Sequence, residues 1–401
     1  MQIILRSRRA LLALTGVTLA ACAADDRAPT VPQLDASAVA ASRGQDVGDE
    51  EIGGNAPGAV YTETNGAAGN AILAFRRATD GTLTPLGAVS TGGLGIGGTA
   101  DPLMSQYAIV LRADHRVLYA VNAGSNDVSA FRVGPDGSIT LASRVASGGV
   151  TPVSLATRGE LLFALNSSSN TVQGFRATPS GGLTPVPGAS TTLLPGASGA
   201  SSIKFSADGE HLLVTERNSN RLETIAVGKN GRLGTPVATA SSGAVPFAVD
   251  LGFDGSALVA EAGGAAPNGA VSSYQLGGAG TLRTVTASLS TQGAATCWLV
   301  ATPDGRFAYA INSASSTVTG LSVAQGGRLS LLNVDGVTAS TGTSTAPIDP
   351  ALADGGRFLY VLKAGTGTIQ GFRVAEGHEL VPQQDVVAGA PRNGQQGLAA
   401  F

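Results

Sequence analysis

A short apolar strand ending in a polar residue, a turn of Gly, Ser and Asn, and a second strand recur seven times along this chain. A fixed internal period of this kind constrains the fold more than any other feature, because each unit must stack on copies of itself to bury its apolar face. Tyr119-Ala-Val-Asn122 runs through Ala-Gly-Ser-Asn-Asp into Val128-Ser-Ala-Phe131-Arg-Val133, and Phe163-Ala-Leu-Asn166 runs through Ser-Ser-Ser-Asn into Thr171-Val-Gln-Gly-Phe175-Arg. Tyr309-Ala-Ile-Asn312 leads likewise to Thr317-Val-Thr-Gly-Leu321, and Tyr360-Val-Leu-Lys363 to Thr368-Ile-Gln-Gly-Phe372-Arg. Weaker copies begin at Val60-Tyr-Thr-Glu-Thr-Asn65, Leu213-Val-Thr-Glu216 and Leu258-Val-Ala-Glu261.

The punctuation around each copy supplies two more strands. Pro152, Pro246 and Pro347 open apolar segments ahead of the polar-ended strand, and a proline at a strand's first residue forfeits no ladder bond. Asp208-Gly209, Asp254-Gly255, Asp304-Gly305 and Asp354-Gly355 then give the positive backbone angles of two-residue hairpins. Asp80-Gly81 and Asp136-Gly137 turn the third strand into a fourth. Four antiparallel strands per unit make a propeller blade, so the expected fold is an all-β seven-bladed propeller. The first unit lacks an innermost strand, whereas the last is followed by the surplus phrase Gly397-Leu-Ala-Ala-Phe401. The chain's last strand is therefore expected to complete the first blade and remove an exposed sheet edge.

Residues 1–21 read as a leader, with Arg6, Arg8 and Arg9 before an apolar core from Ala10 to Leu19 that is too short for a stable span. Leu19-Ala20-Ala21-Cys22 resembles a bacterial lipobox, which implies lipidation of Cys22 and a membrane partner through that anchor. Ala23 after the cysteine implies an outer-membrane lipoprotein of the cell envelope. Residues 22–58 read as a lipidated tether poor in large apolar residues, and 59–401 as the propeller. Cys297 is the one other cysteine, so no intramolecular disulfide is expected beyond a lipidated Cys22. With a net charge of -3 and no Lys/Arg cluster after the leader, no nucleic-acid partner is expected, and the propeller is taken to be monomeric.

The phrases Tyr-x-x-Asn, Phe-Arg-Val and Asp-Gly-x-Leu-Thr-Pro resemble the YVTN-type repeats of the seven-bladed propeller lactonase family, over essentially all of 59–401. That family is similar in fold to propeller-type 6-phosphogluconolactonase and to fungal carboxymuconate lactonizing enzymes. The resemblance implies a carboxylic ester hydrolase acting on a lactone or sugar-derived cyclic ester. Val214-Thr-Glu216-Arg-Asn218 matches the family phrase Val-x-Glu-x-Asn, which makes Glu216 the candidate catalytic acid or base. Where relatives carry Arg-His before Leu-x-Phe, this chain reads Ser201-Ser202-Ile-Lys-Phe205, and where they carry Pro-His it reads Pro152-Val153. Those changes remove a base and an anion clamp that lactone opening would use.

Asp250, Cys297 and Asp349 fall shortly after the starts of inner strands, and Glu216 and Glu261 at the ends of their neighbours, so all five are candidates to line the channel. Convergence of the acids would make a ring able to hold a divalent cation through oxygen ligands. Dispersal of the same side chains among separate turns would point instead to a non-catalytic binding or scaffolding propeller. Cys297, beside the single tryptophan Trp298, has no histidine near it in sequence and reads as a small apolar core residue. His115, His211 and His378 read as solvated turn residues, which offers no His-based zinc site. Gly93-Leu-Gly95-Ile-Gly-Gly98 fits a dinucleotide-binding glycine pattern but lacks the following helix, and reads as a flexible inter-blade loop. If the closure is right, removing residues 397–401 abolishes one cooperative thermal transition for the whole domain. A truncated chain that melts like the full one would disprove it.

Overall fold

Val, Leu, Ala and Tyr fill the polar-ended phrases, and each of the seven forms the second strand of a separate antiparallel sheet, from Gly58–Glu63 in blade 1 to Phe358–Lys363 in blade 7. The computed structural model describes residues 57–263 and 268–401. The leader, Cys22 and the tether up to residue 56 lie outside the described residues.

The innermost strands, in ring order, are Gln396–Ala400, Ile109–Leu111, Pro152–Arg158, Ala200–Phe205, Pro246–Leu251, Thr296–Ala301 and Pro347–Ala353. Each packs on the next, and the seventh packs on the first. Six blades have four strands. In blade 6 the outermost strand is split, with Leu329–Leu331 and Ala339–Ser340 both pairing with Thr317–Val323. Outermost strands are the exposed edges, and Pro85, Pro185, Pro187 and Pro382 stand in them. A proline there removes a donor that would otherwise template pairing with another chain.

The C-terminal segment closes blade 1 as expected. Val60 faces Ala400, Tyr61 faces Ala399, Thr62 faces Leu398 and Glu63 faces Gln396. Phe401 N–H donates to Ala59 O at 3.0 Å, and the buried Arg77 donates its Nε–H to Phe401 O at 2.9 Å.

Blades are pinned to one another by the turn between their third and fourth strands. In all seven blades this turn is closed by two backbone bonds, as in Ala78 N–H to Thr82 O and Gly81 N–H to Ala78 O. The residue whose N–H closes the inner of these bonds has positive φ in every blade, Gly in six and His378 in blade 7. The tyrosines of the repeat reach across to it: Tyr61 Oη donates to Gly137 O at 2.8 Å, Tyr360 Oη to Gly81 O at 2.6 Å and Tyr309 Oη to His378 O at 3.2 Å. A Cβ on Gly81 would lie 2.4 Å from the Phe358 ring of the neighbouring blade, so glycine is required there for contact as well as conformation.

The turns after the inner strands correct one expectation. At Asp208-Gly209 the loop spans residues 207–210, closed by Ser206 N–H to His211 O, where two residues were expected. Asp208 Oδ1 takes bonds from Ser206 Oγ and Glu210 N–H, which stabilise the longer loop.

Candidate functional site

The inner strands carry a recurring irregularity at the end where each begins, the upper end of the channel. One residue is skipped in the register between Pro152 and Ser154, Ala200 and Ser202, Thr296 and Trp298, and Ile348 and Pro350. A bulge of this kind leaves its extra residue unpaired by the ladder and re-aims it. Cys297 and Asp349 are such residues, and so are Ser201 and Val153, where the sequence departs from the family pattern.

This end of the channel is filled. The connection from blade 1 to blade 2 covers residues 91–108, eighteen residues where the other six connections take five to eight. Its second half crosses the axis and bonds to blades that are not neighbours. The Gln106 amide makes a reciprocal pair with the Leu299 backbone in blade 6, Nε2–H to O at 2.8 Å and N–H to Oε1 at 3.0 Å. Gln106 N–H donates to Ser201 O in blade 4, and Gln106 O accepts from Ser154 Oγ in blade 3 at 2.6 Å. Trp298 Nε1–H donates to Ser105 O at 2.9 Å, and Ser105 Oγ to Val153 O at 2.8 Å. Asp101, Leu103, Ser105 and Gln106 are all buried. Leaving any one of these buried groups unpaired would cost about 1–3 kcal/mol, so the segment is held as firmly as a core element. The Gly93–Gly98 stretch belongs to the same connection. It is fixed rather than free, since Gly95 N–H donates to Gly66 O and Ile96 N–H to Asn65 Oδ1.

The acids picked out from sequence occupy separate blades. The residue ending each second strand turns into its own blade, toward the connection arriving from the previous one. Glu216 is wholly buried, accepting from Ser219 Oγ at 2.5 Å and Arg221 Nε at 3.2 Å. Arg221 also pairs with Glu223 at 2.8 Å, and burial, then a hydrogen bond with Glu216 and that group's charge, pushes Glu223 up to about 8. Glu261 accepts from Ser272, Ser288 and the Gly243 amide within blade 5. Asn312 and Lys363 do the same work in blades 6 and 7, with Lys363 bonding Thr341 O and Asp385. The ring of acids therefore does not form. Among the described residues no group of three or more His, Cys, Asp or Glu side chains comes together to hold a metal ion.

Asp250 sits near the lower end of its strand and pairs with Lys204 at 2.8 Å, while Lys204 Nζ donates to Tyr107 Oη at 3.2 Å. Burial alone would lower Lys204, but Asp250 and Tyr107 outweigh it and hold the ammonium charged. Tyr107 has φ 68°, rare for an aromatic residue. Cys297 is fully buried in the core beside Phe247 and Trp298, whose rings meet edge to face at 5.0 Å. The histidines differ from expectation in part. His115 is an exposed turn residue, whereas His211 begins a strand and the ring of His378 stacks on Phe307.

Asp349 closes the ring from within. Its carboxylate accepts from Gln396 Nε2 at 3.1 Å and the Gly397 amide at 2.8 Å, which fixes the start of the closing strand. Burial pushes it up to about 7, against the lowering effect of those two bonds. Burial holds nearby Glu63 well above the usual carboxylate range, with the Asn70 amide opposing and Asp349 adding to the rise. Sequence reading passed over Gln106, Tyr107, Lys204, Arg217 and Glu223. The excess length of the 91–108 connection was the available signal for the first two, and Arg217 follows Glu216 directly, reaching Met104 Sδ in the half of that connection that plugs the channel at 3.6 Å.

Fold and channel together define a seven-bladed propeller whose upper opening is sealed by its own chain. Residues 68–192 and 266–395 match the sequence profile described as "Lactonase, 7-bladed beta-propeller", and the chain belongs to that family. No curated protein matches its sequence. Among solved structures it is similar to a Bacteroides fragilis protein assigned as a 6-phosphogluconolactonase, at 18% identity and TM-score 0.67 over 88% of this chain and 100% of that one. It is also similar to the periplasmic gluconolactonase of Pseudomonas aeruginosa, at 21% identity and TM-score 0.63 over 84% and 98%.

Because Asp349 binds its proton more tightly folded than unfolded, its contribution to stability is complete below about pH 4 and is lost as pH rises through about 7. Thermal unfolding is expected to show lower stability at pH 8 than at pH 5. Asp349→Asn should flatten that slope and leave the variant about 1–3 kcal/mol less disadvantaged at pH 8. An unchanged slope in the variant would refute the assignment.

Proposed function

We propose that this chain is a ligand-binding, non-hydrolytic member of the lactonase family, monomeric and held at the outer membrane of the cell envelope through a lipidated Cys22. The carrying observation is the crossing of the upper channel by residues 101–107, with Gln106 paired to Leu299 and Trp298 bonded to Ser105. A lactone approaching from that side meets buried backbone bonds. Glu216, the acid implied by the family pattern, has no exposed surface, and a general base must come within about 3 Å of the group it deprotonates. The envelope location rests on the leader and Cys22 pattern.

Hydrolysis of a lactone or sugar-derived cyclic ester is the second reading, and family membership is what favours it. In that reading Glu216 is the base, and a divalent cation would supply the Lewis acid in place of the absent Arg and His. Rates of opening of glucono-1,5-lactone and a panel of five- and six-membered lactones, with and without added divalent metal, separate the two. The binding reading predicts no rate above the uncatalysed one. Turnover that is lost in Glu216→Gln would overturn it.

A further inference from the structure

On the lower face of the ring, where the inner strands end, a cavity of about 950 Å3 is lined by Phe401, Leu352, Pro135 and Pro303 and by Arg116 and Arg132. Its volume suits a small organic molecule. Both arginines line the cavity from the same end of blade 2, starting from opposite faces of the sheet, since Arg132 pairs across from Val117 while Val133 N–H donates to Arg116 O at 2.9 Å.

Charge at this cavity does not cancel. Asp114 lines the cavity, but Arg112 clasps it from outside with bonds of 2.8 Å and 2.5 Å. Asp354, the other acid in the wall, is met by Arg357 at 3.0 Å and by Arg77 at 3.8 Å. Arg116 and Arg132 are exposed and form no salt bridge among the described residues, although Arg116 also donates its backbone N–H to Asp114 Oδ1 at 3.1 Å and its charge helps to hold that carboxyl low. His115 borders the same space with its ring stacked on Phe401 at 4.8 Å, which adds an aromatic surface.

We propose that this cavity is the ligand site of the propeller, binding a small organic oxyanion whose phosphate or carboxylate is gripped by Arg116 and Arg132 while its apolar body rests on Phe401 and Leu352. Guanidinium pairs favour such groups because each presents two parallel N–H donors to two oxygens. The proposal deepens the binding reading by giving it a site on the face away from the plug. A lactone panel that shows turnover would sink that reading without touching this site.

Titration of the full chain with phenyl phosphate, phenylacetate and inorganic phosphate at low ionic strength tests it. Phenyl phosphate and phenylacetate distinguish a phosphate from a carboxylate preference, and inorganic phosphate measures the head alone. Saturable binding of at least one phenyl compound is expected, about tenfold tighter than inorganic phosphate, and weakened about tenfold or more in Arg116→Gln/Arg132→Gln. Arg132→Lys, which keeps the charge but loses the fork, should fall between. Equal affinity in wild type and a folded double variant, or no saturable binding of any probe up to about 10 mM, would overturn the proposal.

Discussion

Everything else in this molecule depends on the antiparallel pairing of Gln396–Ala400 with Gly58–Glu63. Seven wedge-shaped sheets can share a single core only if the last one meets the first, and here the meeting is made by strands more than 300 residues apart. Three buried polar contacts secure it: Arg77 on Phe401 O, and Asp349 on the Gly397 amide and the Gln396 side chain. The loop entropy of so distant a contact grows only slowly with length, so one well-packed strand can close the ring. Once it is closed, each third-to-fourth turn is pressed into the neighbouring blade, where tyrosines from blades 1, 6 and 7 donate to its positive-φ residue.

The closed ring also creates the space that residues 101–107 fill. A strip of backbone buried in a channel must satisfy its polar groups, and this one does so by borrowing donors and acceptors from four blades. On the lower face a cavity remains accessible, lined by apolar side chains and by Arg116 and Arg132. A shared fold leaves the chemistry to be set by such particular side chains.

The blades were legible in the sequence because each depends on local signals, a polar-ended strand and turn residues with positive φ. Closure was legible because a missing strand at one end matched a surplus at the other. The channel was not legible, for a geometric reason. Side chains alternate between the two faces of a blade, each packed on a neighbouring blade, so whether a strand-end residue reaches the channel depends on how the adjoining bulges and connections aim it, which sequence alone does not say. Glu216 and Glu261 face inward to serine, arginine and backbone partners, while Arg217, one residue on, reaches the plug. Gln106 and Leu299 were beyond reach for another reason. Their pairing spans 193 positions and no periodic pattern encodes it.

The central claim is that the plug seals the upper channel, and Trp298 reports on it directly because the chain has one tryptophan. Its indole is fully buried and bonded to Ser105 O in the plug. Acrylamide quenching of its fluorescence in the native protein should be weak, with blue-shifted emission that moves red only on global unfolding. Quenching in the native state as strong as in the unfolded chain would mean that the channel is open at its upper end, and would contradict the account.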